Sequence, residues 1–193
     1  MRVLVICVAG GVLVALAVLF AIVAGATGGD RTKRAAARLK EGDRIPDVGA
    51  PNQDGVPVRL SQFRGHAIAL YFYPKDQTSG CTREAHGFSA DYERIRALGA
   101  EVVGVSNDDA RSHKKFCNNE ALPFPLLADT DRTIANAFGV RSLFGFYQRI
   151  TFLIDGNGVV RKVFDPVKPA LHAAEVIAAL AALGPGDGGA PVR

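Results

Sequence analysis

The sequence predicts an α/β domain in which a mixed sheet carries helices on both faces. Three observations lead there. Strand-like apolar runs, first Ala67–Tyr73 and then Glu101–Ser106, alternate with segments of helical periodicity. Arg149–Ile154 and Val159–Phe164 flank Asp155-Gly156-Asn157-Gly158, a strong hairpin turn. A final helical pattern, Pro169–Leu183, follows the hairpin. Alternating strands and helices ask for parallel pairing, the hairpin for antiparallel pairing, and amphipathic helices for a sheet to cover.

The chain has 193 residues, enough for one domain with a substantial core. It is 48% apolar with a formal net charge of +4. Basic residues are scattered and do not interleave with aromatics, which argues against nucleic acid as a partner. Val3–Ala26 is apolar or small throughout and carries no charge, long enough to span a bilayer. Residues 1–26 are therefore expected to be a transmembrane anchor, with a cleavable signal at Ala24-Gly25-Ala26 as the alternative. The basic cluster Arg31, Lys33, Arg34, Arg38 and Lys40 follows closely and favours a cytoplasmic domain by charge bias. A secretory start would place the domain in the periplasm instead. Residues 27–44 read as a linker, 45–183 as the domain, and the Gly/Pro-rich 184–193 as a disordered tail.

Within the domain, Ile45–Leu60 reads as an irregular stretch with a short hairpin turning at Asp54-Gly55. Ser61–Gly65 is a single turn before the Ala67–Tyr73 strand, which Pro74 ends. Thr78, Ser79 and Gly80 are helix-start signals, and Phe88, Tyr92, Ile95 and Leu98 fall at helical spacing behind them. Asp109 caps a helix running to about Asn119. Pro123–Leu127 leads into a third strand, and Thr133–Phe138 is a short helix stopped at Gly139. Leu143–Tyr147 is an aromatic loop. In the last helix, Leu171, Val176, Ile177, Leu180 and Leu183 can face a core. No glycine-rich phosphate loop joins a strand to a helix.

Cys81 is the residue with the most chemistry in its setting. It falls in or just before the first helical turn, where amides lack partners and the helix dipole is positive. Both effects favour thiolate over thiol. Cys7 lies in the apolar segment as a passive small side chain, which leaves Cys81 and Cys117 as a possible pair. Glu84, in the same turn as Cys81, has a dipole contact as its default role, and its part in any chemistry is open.

Pro74-x-x-x-Thr78-x-x-Cys81 resembles the active-site motif of peroxiredoxins. The longer run, Tyr-Phe-Tyr-Pro-Lys-Asp through Gly-Cys-Thr-Arg-Glu-Ala, is similar to the peroxiredoxin Q (bacterioferritin comigratory protein) subfamily, and the likeness covers roughly Leu39–Leu183. Ser79 departs from it, standing where the subfamily usually has proline. The resemblance implies a thioredoxin-like fold and a thiol peroxidase acting on hydrogen peroxide and organic hydroperoxides. It implies Cys81 as the nucleophile, Thr78 hydrogen-bonding to sulfur and peroxide, Pro74 shielding the pocket, and Arg149 holding thiolate and peroxide. Many members resolve the sulfenic acid with a cysteine five residues on. Here that position is His86, so the resemblance points to Cys117 as the resolving residue of an intramolecular disulfide. A thioredoxin-like dithiol donor would recycle it. No metal, haem, flavin or nucleotide is implied, and the monomer is the default state.

Other readings compete. A lone cysteine at a helix start is more often structural, and Cys117 can be a buried, inert thiol with an external thiol resolving Cys81. Cys81, His86, His113 and Cys117 supply the ligand types of a Cys2His2 metal site. The metal-free reading of His86 and His113 is a solvated helix face. A membrane-tethered thiol–disulfide oxidoreductase of the same fold is the further alternative, although Glu84 stands where Cys-x-x-Cys would need its second cysteine.

Overall fold

The computed structural model describes residues 37–183. The anchor or signal segment expected over 1–26, most of the linker, and the tail 184–193 lie outside the described residues. The last residues of the expected linker already join the domain. Leu39 donates to the Phe138 carbonyl at 3.1 Å, and Gly42 and Asp43 exchange backbone hydrogen bonds with Val160 at 2.8 and 2.9 Å.

A short hairpin comes first, β1 (Gly49–Pro51) against β2 (Pro57–Arg59), followed by a 3-10 turn at Leu60–Phe63. The chain then runs through β3 (Ala67–Phe72), α1 (Ser79–Ala90), α2 (Tyr92–Ala97), β4 (Ala100–Ser106), α3 (Ala110–Glu120), β5 (Leu126–Ala128) and α4 (Thr133–Phe138). A two-stranded hairpin, β6 (Ser142–Leu143) and β7 (Phe146–Tyr147), occupies the expected aromatic loop. The strands β8 (Ile150–Ile154) and β9 (Val160–Phe164) and the helix α5 (His172–Ala182) complete the domain.

The main sheet has the order β5-β4-β3-β8-β9. β3 and β5 run parallel to β4, whereas β8 runs antiparallel to β3 and β9 antiparallel to β8. The sheet is mixed for the reason the sequence supplies. The Asp155 carboxylate accepts from the Asn157 and Val159 amides at 2.9 and 2.8 Å, and Gly158 takes φ +75°, so the chain reverses at once between β8 and β9.

Side chains of β3 alternate between two cores, as the two-residue strand period requires. Ala67, Ala69, Tyr71 and Tyr73 pack with Ala85, Phe88, Ile95, Phe116 and Val176 from α1, α2, α3 and α5. Ile68, Leu70 and Phe72 pack on the other face with Ile134 and Phe138 of α4. Helices therefore cover both faces, and β3, buried at every position, lies between them. Burial of a Phe or Leu side chain contributes about 1.5–3 kcal/mol, so these two layers are the main stabilising element around the loop that leaves β3.

Three expectations are corrected. The helix read from Phe88 to Leu98 is two helices, because Asp91 leaves helical geometry at φ −101°, ψ 8°. Phe88, Tyr92 and Ile95 still reach the same core, so periodicity reported the buried face and not the break. Leu171 is 55% exposed, since α5 starts one residue later and His172 takes the inward place with Nε2 2.8 Å from Thr151 Oγ1. The membrane-anchored localisation is also overturned. Among the described residues no helix is long and apolar enough to cross a membrane. The longest, α1, has 12 residues and reaches about 18 Å against a hydrocarbon core of about 30 Å.

Candidate active site

β3 delivers its chain to the site. Tyr73 continues the strand's direction by donating to the Val105 carbonyl at 3.1 Å, and Pro74 then ends the pairing. The loop turns through Gln77, which takes the left-handed φ of +59°, and Thr78 is extended at φ −86°, ψ 147° as the N-cap of α1. The Thr78 hydroxyl does not cap the helix. It donates to the Lys75 carbonyl at 3.1 Å. The first intrahelical bond runs from the Thr82 amide to the Thr78 carbonyl at 2.8 Å, so the amides of Ser79, Gly80 and Cys81 precede the ladder.

Cys81 sits in this uncapped first turn and is 1% exposed. Arg149 reaches it from the other strand. The antiparallel register sets Ile150 opposite Phe72, which brings the preceding residue, Arg149, to the end of β3 where the loop leaves. Arg149 Nη2 donates to Cys81 Sγ at 3.2 Å. Its Nη1 donates to Glu84 Oε2, so one guanidinium spans the thiol and a carboxylate one helical turn away. Glu84 is buried, and burial pushes its carboxyl up to about 7 against the pull of Arg149. Burial works against the Arg149 charge, but Glu84 and Cys81 outweigh it and hold the guanidinium above its usual value. Pro74 is half-buried and lines a pocket of about 200 Å³ with Lys75, Asn107, Asp108 and Phe146.

Cys117 lies in the last turn of α3, 7% exposed, and belongs to the same apolar cluster as Cys81. Both are free thiols. Burial, then the Asp76 and Asp54 carboxylates, push the Cys117 thiol up to about 11, with Lys114 acting the other way.

Three of the four metal-ligand candidates are engaged elsewhere. Cys81 meets Arg149, His86 pairs with Glu120 at 2.7 Å, and His113 Nδ1 lies 2.9 Å from Asp76 Oδ2. Among the described residues no cluster of His, Cys, Asp or Glu could hold a metal ion. His86 is exposed, as a solvated helix face implies, whereas His113 is fully buried, contrary to that reading. The sequence reading did not single out Asp76, although its place between Pro74 and Thr78 marked it. For Glu84 the usable signal was its three-residue spacing from Cys81 on a helix that opens at a functional cysteine.

Sheet order and site geometry together describe a thioredoxin-like protein built around one buried, arginine-bound cysteine. The AhpC/TSA family model matches residues 42–163. Peroxiredoxin Q of Sedum lineare, a chloroplastic protein, is 41% identical over 150 residues, covering 76% of this chain and 81% of its own. The crystal structure of the peroxidoxin BcpB from Mycobacterium tuberculosis superimposes with a TM-score of 0.72 at 35% identity, covering 76% of this chain and 99% of its own. A Xanthomonas campestris peroxiredoxin Q, solved as a cysteine variant, gives 0.70 at 34% identity, covering 76% and 100%. The chain belongs to the AhpC/TSA family and, within it, to the peroxiredoxin Q (bacterioferritin comigratory protein) group. It is accordingly a thiol peroxidase, an oxidoreductase. The curated relatives named with a location are chloroplastic.

Proposed function

We propose that the protein reduces hydrogen peroxide and alkyl hydroperoxides through Cys81, with Cys117 as the resolving thiol. The Cys81 thiolate attacks the terminal peroxide oxygen. The O–O bond breaks, sulfur gains the oxygen as a sulfenic acid, and the departing alkoxide or hydroxide takes a proton to leave as alcohol or water. Arg149 meets the charge on sulfur and on the reacting oxygens, and a donor of this kind is worth about 10²–10³ in rate. The Thr78 hydroxyl has committed its proton to Lys75, so its lone pairs are free to accept from a hydroperoxide O–H. Pro74 takes the shielding role that the family resemblance implies, although the pocket it lines does not include Cys81, Thr78 or Arg149.

In the second step the Cys117 sulfur attacks the sulfenic sulfur. The S–O bond breaks, an S–S bond forms, and water leaves. A dithiol donor of the thioredoxin type then reduces the disulfide and becomes oxidised itself. A structure of a Xanthomonas campestris relative concerns alkyl peroxide reduction, which supports the substrate class. Two cysteine-to-serine variants of that organism's peroxiredoxin Q are substituted at positions separated by the same interval as Cys81 and Cys117, which supports the pairing.

The observation that carries this reading is the 3.2 Å hydrogen bond from Arg149 to Cys81, made by a guanidinium that Glu84 holds in place. The test is peroxide consumption with a thioredoxin system. Cys81→Ser is expected to abolish turnover. Cys117→Ser is expected to keep the first oxidation within about twofold while losing the internal disulfide. Full turnover by the Cys81 variant would end the assignment.

A further inference from the structure

The loop between Pro74 and Thr78 is held by a side chain that the chemistry above leaves unused. Asp76 is 4% exposed. Its carboxylate accepts from the Tyr73 hydroxyl at 2.7 Å, from Ser112 Oγ at 2.7 Å and from His113 Nδ1 at 2.9 Å. A carboxylate only accepts, so His113 carries its proton on Nδ1. The Asp76 amide donates to Asp108 Oδ2 at 2.9 Å, and the same oxygen accepts from Ser106 Oγ at 2.8 Å. The ends of β3 and β4 and the first turn of α3 thus converge on one loop residue.

The next residue shows why the loop needs holding. Gln77 takes φ +59°, a conformation that costs a non-glycine residue about 1–3 kcal/mol and persists where its surroundings enforce it. Asp76 supplies that enforcement from one side and α1 from the other. The partners on α3 matter as much. His113 lies four residues before Cys117 and shares its helix face. One carboxylate therefore joins the loop that aims Cys81 to the helix face that carries Cys117.

We propose that Asp76 is a positioning residue that clasps the Cys81 loop to the Cys117 helix and so sets how fast the Cys81 sulfenic acid is resolved. This rests on the peroxidase cycle proposed above. With the clasp closed, both cysteines are buried free thiols. In the proposed cycle the loop, α3 or both shift to bring their sulfurs to a bonded distance of about 2 Å, and that shift pulls on the bonds to Ser112 and His113. The sulfenic acid has two competing fates. Attack by the Cys117 sulfur gives the disulfide and water. Reaction with a second hydroperoxide gives a sulfinic acid and an alcohol. A tight clasp slows the first fate and leaves the second unaffected, so it prolongs the sulfenic acid.

The test is rapid-quench intact-mass analysis of the full-length protein, parent against Ser112→Ala, over a series of hydrogen peroxide concentrations. Ser112→Ala removes one helix-side bond and leaves Cys81, Thr78 and Arg149 in place. The expected result is Cys81 oxidation within about twofold of the parent and disulfide formation about 3- to 10-fold faster, the range one hydrogen bond supports. The peroxide concentration giving half sulfinic acid rises by a similar factor. Partition identical to the parent, or slower disulfide formation, overturns the clasp. Asp76→Asn is the second variant and should shift the partition further in the same direction. If it does not fold, Ser112→Ala alone decides. A parent protein that forms no Cys81–Cys117 disulfide would overturn the peroxidase cycle and the clasp together. A parent that forms it, with a variant that partitions identically, removes the clasp alone.

Discussion

Cys81 and Cys117 belong to one apolar cluster, yet their helices put them in opposite fields. Cys81 occupies the first turn of α1, where amides are uncapped, and accepts a hydrogen bond from Arg149. Cys117 occupies the last turn of α3, and its carbonyl accepts from the Ala121 and Leu122 amides as the helix ends. The dipole is positive at the first place and negative at the second. Burial, and after it Asp76 and Asp54, push the Cys117 thiol up to about 11. Both thiols are buried, but Cys81 carries a guanidinium on its sulfur whereas Cys117 faces carboxylates. In the proposed cycle that contrast gives Cys81 the first attack and leaves Cys117 as the waiting thiol.

Arg149→Lys is the largest break in that comparison. An ammonium is a point charge and cannot bridge Cys81 and Glu84 as the planar guanidinium does. Rapid-quench measurement of Cys81 oxidation is expected to show a loss of about 10²–10³ in rate, with the reactivity of Cys117 toward alkylating reagents unchanged. Equal loss at both thiols would mean that Arg149 holds the fold rather than the site.

The pH dependence of the disulfide step sharpens the other side. In the proposed second step Cys117 attacks as thiolate, and a raised value means that thiol predominates at neutral pH. The rate of disulfide formation should therefore climb with pH, about tenfold per unit. If the clasp opens first, Cys117 escapes burial and Asp76, and the climb levels off near the ordinary cysteine value of about 8.5. A climb that continues to about 11 would mean that Cys117 attacks from its buried place.

The smallest effect concerns Ser79, the first residue of α1. Proline is favoured at that position, and Thr78 is already extended, as a residue before proline must be. Ser79→Pro is expected to raise stability by about 0.4–1 kcal/mol in urea denaturation, with Cys81 oxidation within twofold of the parent. Destabilisation would show that the loop geometry at Thr78 differs from the extended form.

How much of this was legible before the structure depends on whether a signal is local. The strands around Asp155–Gly158, the cap at Asp109 and the stop at Gly139 are written in neighbouring residues, and they appear where the sequence puts them. Cys81 and Arg149 could be picked out together only through the family motif, because their meeting depends on the β3–β8 register. Asp91 breaks a helix without any glycine or proline to announce it. Asp76 and His113 escaped for a related reason. Each is a polar residue whose sequence neighbours look like a solvated loop or helix face, and only the packing of α3 against the end of β3 buries the pair.

The most direct test is intact-mass analysis with peptide mapping of the reduced full-length protein after one equivalent of hydrogen peroxide. The expected result is loss of two hydrogens, with Cys81 linked to Cys117 and Cys7 unchanged. A stable gain of one oxygen at Cys81, or no change at Cys81, would contradict it.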